Sequence, residues 1–214
     1  MQAVILAAGM GKRLKKLTRN NTKCMVEVNG VTLIERALRI LDRKGLSRIV
    51  LVVGYEGQKL IEYIHSLNIQ TPIHFINNSV YDKTNNIYSL ALAKDYLVSE
   101  DTLILESDLI FEEAVIDVLL QDERDTLALA DKFESWMDGT CMVLDDDDCI
   151  CDFVPGKYLN FSEMEKYYKT VNIYKFSQHF SKNTYVPFLQ AYETAMGNNE
   201  YYESVIKLIA MLDT

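Results

Sequence analysis

The sequence predicts an α/β fold of three layers, doubly wound around a mostly parallel, mixed sheet. Three observations carry this. Short apolar runs alternate with amphipathic stretches from Gln2 to Ala130, the order that sets parallel strands side by side with helices on both faces. Several of the runs are continuously apolar, as strands buried on both faces are. The first of them leads straight into a tight turn, Gly9-Met10-Gly11.

The elements follow in order. Gln2 to Ala8 is the first buried strand. Leu33 to Lys44 has helical spacing, and Gly45 suits a helix end. Arg48 to Val53 is a strand ended by Gly54, Gln58 to Leu67 a helix, and Pro72 to Ile76 a third strand. Ile87 to Leu97 reads as helix, with Asn85 or Asn86 near its start. Thr102 to Glu106 is the fourth strand, followed by Ser107 and Asp108; Glu112 to Leu120 is helix and Thr126 to Ala130 strand. There the alternation ends. Gly139 to Leu144 and Cys149 to Val154, joined by Asp145-Asp146-Asp147-Asp148, suggest a hairpin. Thr170 to Phe176 is a further strand, and Val186 to Met196 and Glu200 to Leu212 are two helices. No repeat or linker interrupts the chain, so residues 1–214 read as one domain.

Composition narrows the function. The chain has 214 residues, 49% hydrophobic and 25% charged, enough for a core without disulfide staples. Lys and Arg number 22 against 31 Asp and Glu, a net charge of −9, so no basic face for nucleic acid is expected. Of the cysteines Cys24, Cys141, Cys149 and Cys151, the pair Cys149-x-Cys151 lacks zinc spacing, and reduced thiols fit a cytoplasmic protein. The run Ala3 to Ala8 is too short for a signal segment, and no run reaches the about 18 apolar residues of a membrane span, so no membrane partner is expected. The aspartate run lacks the glycine and distal glutamate of a calcium loop and reads as a solvated turn. His65, His74 and His179 have no carboxylate or serine close in sequence and receive no catalytic role.

The most informative segment is Leu6-Ala7-Ala8-Gly9-Met10-Gly11-Lys12-Arg13-Leu14. A Walker A loop needs four residues before its Gly-Lys pair; here one separates Gly9 from Gly11-Lys12, and no Ser or Thr follows. A dinucleotide fingerprint needs a third glycine where Leu14 stands. What remains is a tight turn whose amides can approach a triphosphate, or an ordinary strand-to-loop turn.

Together with Thr22-Lys23-Cys24-Met25-Val26-Glu27-Val28-Asn29-Gly30, this loop resembles the start of the nucleoside-triphosphate transferases that make sugar nucleotides and related activated headgroups. Thr22 stands where that family commonly has Pro, and Met25 where it has Leu. Asn85-Asn86-Ile87-Tyr88-Ser89-Leu90 is similar to a stretch of bacterial phosphocholine cytidylyltransferases, and Glu106-Ser107-Asp108 resembles the family's strand-end acidic motif. The helix Glu200 to Leu212, with its Asn198-Asn199-Glu200-Tyr201-Tyr202-Glu203 opening, resembles 2-aminoethylphosphonate cytidylyltransferases fused to aminotransferases. The resemblance implies a Rossmann-like nucleotidyltransferase fold (GT-A-like). It implies transfer of CMP from CTP to a small phosphorylated or phosphonylated amine with release of pyrophosphate.

On that resemblance, Arg13 stabilises the leaving pyrophosphate and Lys23 the α-phosphate, and Asp108 holds Mg²⁺. Leu6, Ala7, Ala8, Gly9, Gly11, Asn86 and Ser89 bind the nucleotide. The acceptor side takes Lys132, Trp136, Asp138, Lys157, Lys169, Asn172, Glu200 and Glu203. The carboxylates Asp138, Glu200 and Glu203 favour a primary amine, hence 2-aminoethylphosphonate ahead of phosphocholine. A fused or separate aminotransferase is then an expected partner. A sugar-1-phosphate transferase, a non-catalytic nucleotide-binding module and a nicotinamide enzyme stay open as other classes. The family also carries a second metal-ligating Asp in a short segment after the last helices, which this sequence lacks. The resemblance thus leads us to expect a single nucleotidyltransferase domain over 1–214 and leaves two alternatives open: a metal site of one protein carboxylate plus nucleotide oxygens, or a domain that is the N-terminal part of a longer chain.

Overall fold

The computed structural model describes residues 1–11, 18 and 21–212. Among them, strands β1 (Gln2–Ala7), β2 (Glu27–Val28), β3 (Val31–Thr32), β4 (Ile49–Val53), β5 (Ile73–Asn77) and β6 (Thr102–Glu106) come first. They are interleaved with helices α1 (Leu33–Asp42), α2 (Gly57–Ser66), α3 (Asn86–Leu92) and α4 (Lys94–Leu97). Then come α5 (Glu113–Gln121), β7 (Thr126–Lys132), β8 (Cys141–Leu144), β9 (Ile150–Val154), β10 (Tyr167–Phe176), α6 (Gln178–Phe180), α7 (Val186–Met196) and α8 (Glu203–Ala210).

The main sheet runs β5-β4-β1-β6-β10-β8-β9, with β7 paired to β10. Strands β5, β4, β1 and β6 are mutually parallel, and β10 joins β6 antiparallel. The parallel strands are apolar on both faces for a visible reason. Ala3, Ile5, Ala7, Ile49, Leu51, Leu103 and Leu105 face one cluster, with Leu38 and Leu41 of α1, Leu60 and Ile64 of α2 and Ile116 of α5. Val4, Leu6, Val50, Val52 and Ile104 face the other, with Ile87 and Leu90 of α3, Leu189 of α7 and Val205 of α8. Strand alternation thus splits each run between two helical layers.

Local chemistry sets the ends. Thr32 Oγ1 accepts the Glu35 amide at 3.1 Å and starts α1, a cap that contributes about 1 kcal/mol. The aspartate run does form the hairpin turn: Asp145 Oδ1 accepts the amides of Asp147 at 3.0 Å and Cys149 at 2.8 Å. All four cysteines are free.

Four elements differ from expectation. The helix expected over 87–97 breaks at Ala93, whose φ of −92° and ψ of 7° leave the helical region with no Gly or Pro to mark it. Strand β10 starts at Tyr167, before the expected Thr170, and its register shifts between Thr170 and Tyr174, where Asn172 adopts a φ of 59°. The helix expected from Glu200 begins only at Glu203, because the residues before it serve α3: the carbonyl of Asn198 accepts the Asn85 amide at 2.9 Å and that of Glu200 accepts the Ile87 amide at 3.3 Å. The β2–β3 ribbon was not expected, although Asn29-Gly30 is the turn pair for it, with φ of 53° and 75°. No helix of the described residues is long and apolar enough to cross a membrane.

Candidate active site

A cleft of about 800 Å³ opens at the carboxyl edge of the parallel strands, where ligands bind in open α/β sheets. Among the described residues six segments reach it: the turn after β1, Lys23 of a short turn before β2, the stretch Asn78 to Ser89, the end of β6, the irregular point of β10, and the strap leading into α8.

The turn after β1 is held in place by close packing. Gly11 has a φ of +59°, and a Cβ there would stand 3.0 Å from Lys23 Cβ and from Thr18 Cγ2. Thr18 Oγ1 donates to the Gly11 carbonyl at 2.9 Å. At Gly54 a Cβ would meet the Ala8 carbonyl oxygen and Tyr81 Cβ, each at 2.8 Å. The Tyr55 amide donates to that Ala8 carbonyl at 3.1 Å, and the Tyr55 ring meets the Tyr81 ring edge-on at 6.0 Å. A glycine therefore lets the turn, β4 and Tyr81 close on one another.

Lys23 begins a single 3₁₀ turn, Lys23–Met25, and its ammonium pairs with Asp108 just beyond β6. Asn86, the first residue of α3, spends its whole carboxamide inside the protein. Its Nδ2 donates to Glu106 Oε1 at 3.2 Å and to Glu203 Oε2 at 3.3 Å, and its Oδ1 accepts the Tyr202 amide at 3.0 Å. Burial, reinforced by the nearby Glu203 charge, pushes the Glu106 carboxyl up to about 7. Burial also raises Glu203. Asn78, wholly buried, donates to Ser89 Oγ and Thr84 Oγ1 at 3.2 Å each.

Of the residues expected in the site, Leu6, Ala8, Gly9, Gly11, Lys23, Asn86, Ser89, Asp108, Asn172 and Glu203 line this one cleft. Ala7 lies beneath it, in register with Val53. Arg13 lies outside the described residues. Lys132, Trp136, Asp138, Lys157, Lys169 and Glu200 are not among the lining residues. Trp136 is 76% exposed and donates to Glu134 Oε2 at 2.7 Å, and Asp138 is exposed near it. Lys132 donates to the Glu165 carbonyl at 2.8 Å, and Lys157 sits 4.6 Å from the Tyr158 ring centre. Lys169 donates to the Thr140 carbonyl at 3.0 Å, and its charge reaches Glu203. Glu200 contributes its carbonyl to α3.

Four lining residues escaped the sequence reading: Asn78, Tyr81, Asp82 and Thr84. Asn199 and Tyr201 also line the cleft, from the polar-aromatic stretch Asn198 to Glu203, which reads as a helix start only when α3 is left out.

Among the described residues, no group of three or more His, Cys, Asp or Glu side chains is arranged to hold a metal ion. Asp108 lines the cleft with Asp82, Glu106 and Glu203; as a single ligand it would suit a hard cation that takes few protein carboxylates and completes its shell with phosphate oxygens and water.

The model of the MobA-like NTP transferase domain matches residues 3–143. The chain belongs to this family. The matched part of this NTP transferase domain contains the glycine turn, Lys23, Asn86 and Asp108, while Asn172 and Glu203 fall after it. The domain is 33% identical over 141 residues to the CTP:phosphoglutamine cytidylyltransferase of Campylobacter jejuni, 64% of this chain and 54% of the relative. It is 27% identical over 207 residues to the CMP-5'-(3-aminopropyl)phosphonate synthase of Streptomyces rubellomurinus, 96% of this chain and 33% of that one. It thus spans between a third and a little over half the length of these two relatives. Its fold matches the CTP:phosphocholine cytidylyltransferase of Streptococcus pneumoniae with a TM-score of 0.65 at 23% identity, covering 96% of this chain and 83% of the other.

Proposed function

We propose that the protein transfers CMP from CTP to a small amine-bearing phosphonate or phosphate, with 2-aminoethylphosphonate the favoured acceptor. The observation that carries the reading is one cleft that holds groups of both signs. The glycine turn and Lys23 line it together with the carboxylates of Glu106 and Glu203, which Asn86 bridges. An acceptor with an anionic phosphonate and a cationic amine matches both.

In the proposed reaction a phosphonate oxygen attacks the α-phosphorus of CTP. The new phosphorus–oxygen bond forms as the bond to the bridging oxygen of the β-phosphate breaks, and pyrophosphate leaves. The acceptor oxygen is already anionic, so no protein nucleophile or general base is required. The protein's part is positioning and charge neutralisation. Amides of the glycine turn face the phosphates, Lys23 neutralises the α-phosphate, and Arg13 the departing pyrophosphate. A magnesium ion held by Asp108 and nucleotide oxygens adds charge neutralisation when bound.

A primary ammonium has three N–H donors, which carboxylates accept; a quaternary one has none and favours an aromatic cage. The only Trp lies outside the cleft, and this supports the primary amine. The names of the two relatives, an aminopropylphosphonate and a phosphoglutamine enzyme, support the same class. Phosphocholine is the second reading, supported by exposed Tyr201 on the cleft wall. The reading also proposes a cytoplasmic reaction and an aminotransferase partner, fused or separate. Pyrophosphate release from CTP and Mg²⁺ with 2-aminoethylphosphonate, phosphocholine or glucose 1-phosphate tests it. Fastest release is expected with 2-aminoethylphosphonate. A preference for phosphocholine reverses the order, and turnover of the hexose phosphate with UTP instead of CTP overturns the reading.

A further inference from the structure

We propose that Asn86 is a positioning residue for the acceptor half of the cleft: its carboxamide fixes the placement of Glu106 against Glu203 and thereby sets the affinity for the acceptor, not for the nucleotide. The inference rests on the cytidylyltransferase reading. It runs against the nucleotide role that the sequence motif suggests for Asn86.

The argument is an account of atoms. A carboxamide has two N–H donors and one oxygen acceptor. Both donors of Asn86 go to carboxylates from different parts of the chain, Glu106 at the end of β6 at 3.2 Å and Glu203 at the start of α8 at 3.3 Å. The oxygen takes the amide of Tyr202, one residue before Glu203, at 3.0 Å. No N–H remains for a base or ribose. Two carboxylates this close repel each other, and a neutral donor shared between them is what lets both face one cleft.

Tyr202 is gripped on its other side too. Its carbonyl accepts the Tyr185 hydroxyl at 3.3 Å. Tyr185 closes a π-helical turn, Ser181–Tyr185, between α6 and α7, and is wholly buried. Such a turn re-aims side chains within a helix and recurs at functional sites. With Asn86 on the amide and Tyr185 on the carbonyl, the peptide units on both sides of the Tyr202 Cα are held, and Glu203 enters the cleft from a fixed point.

The test combines kinetics with amide exchange in Asn86→Ala and in the volume-conserving Tyr185→Phe. For Asn86→Ala we expect the KM for 2-aminoethylphosphonate to rise about tenfold or more, the size of a lost hydrogen bond to a charged group, with the KM for CTP within about twofold. The Tyr202 amide should exchange about tenfold faster or more, while core amides such as Leu51 keep their protection. Tyr185→Phe should raise the acceptor KM in the same selective way by about threefold. A rise confined to the KM for CTP, or equal for both substrates, overturns the inference. Unchanged Tyr202 exchange in Asn86→Ala does so as well. If the wild type turns over no amine acceptor, the functional reading fails on its own. The exchange arm then judges the clamp: equal Tyr202 exchange in wild type and variant sinks it, and faster exchange in the variant upholds it.

Discussion

Lys23 and Asp108 are ion-paired at the cleft, one from the turn that follows the glycine loop and the other from the end of β6. Their side chains keep 33% and 22% of their exposure, so the pair adds only about 0–1 kcal/mol to stability. On the proposed reaction its value lies in the charges that it holds ready for phosphates. Lys23→Ala and Asp108→Asn are each expected to lower kcat by about 100-fold or more, with the unfolding midpoint nearly unchanged. Pyrophosphate release alongside a thermal melt checks this. A large loss of stability with normal kcat would assign the pair to the scaffold.

Glu106 gives the folded protein a pH signature. The folded chain keeps its proton up to about 7, because burial and the Glu203 charge disfavour the carboxylate, whereas a free glutamate releases it near 4.5. Between those values the folded state binds more protons than the unfolded state, so stability falls as pH rises through that window. Melting temperatures at pH 5 and pH 7.5 should show the fall in the wild type and a smaller one in Glu106→Gln. Parallel slopes in the two proteins would refute the assignment.

Glu203 should report on the acceptor alone. Glu203→Gln removes a charge from the cleft lining, on the side proposed for the acceptor amine, and changes no residue of the glycine turn. The KM for 2-aminoethylphosphonate is expected to rise about tenfold or more, with the KM for CTP little changed. Steady-state kinetics in each substrate decide the matter.

Gly54 is predicted to be intolerant of any side chain. A methyl group there would meet backbone oxygen and a Cβ at 2.8 Å, so Gly54→Ala must shift the turn after β1 or Tyr81. Such overpacking costs about 1–3 kcal/mol. The variant should melt earlier and bind CTP more weakly. Denaturant melts and titration with CTP measure the two effects.

Core strands should respond as tightly packed strands do. Ile5 is wholly buried in the cluster beneath α1, α2 and α5, and Ile5→Ala is expected to cost about 2–5 kcal/mol. The midpoint of chemical unfolding gives the value.

The parallel half of the fold was legible because its signal is local. In β1, Ala3, Ile5 and Ala7 serve one core and Val4 and Leu6 the other, so the whole run is apolar. The start of α8 was not legible because its cause lies elsewhere in the chain: Asn198 and Glu200 give their carbonyls to α3. The β2–β3 ribbon is carried by the turn pair Asn29-Gly30, but its strands are two residues each, too short to show an alternating pattern. In the cleft, the glycine turn, Lys23 and Asp108 follow from motif spacing. Asn78 and Tyr81 do not, because they lie in a turn whose sequence carries no period. The expected acceptor residues between 132 and 157 do not line the cleft. Part of that stretch packs on a small third cluster of Phe133, Cys141 and Tyr167.

The strap before α8 is moored to α3 through main-chain carbonyls at 198 and 200. Those bonds do not depend on which side chains the strap carries. Asn199 and Tyr201, which alternate with the mooring points, line the cleft. Anchoring and lining of the cleft are thus divided between neighbouring residues. Substitutions at 199 and 201 can alter the shape of the cleft wall while the frame stays put, and on the proposed reaction this strap is where the domain would be redirected from one headgroup to another.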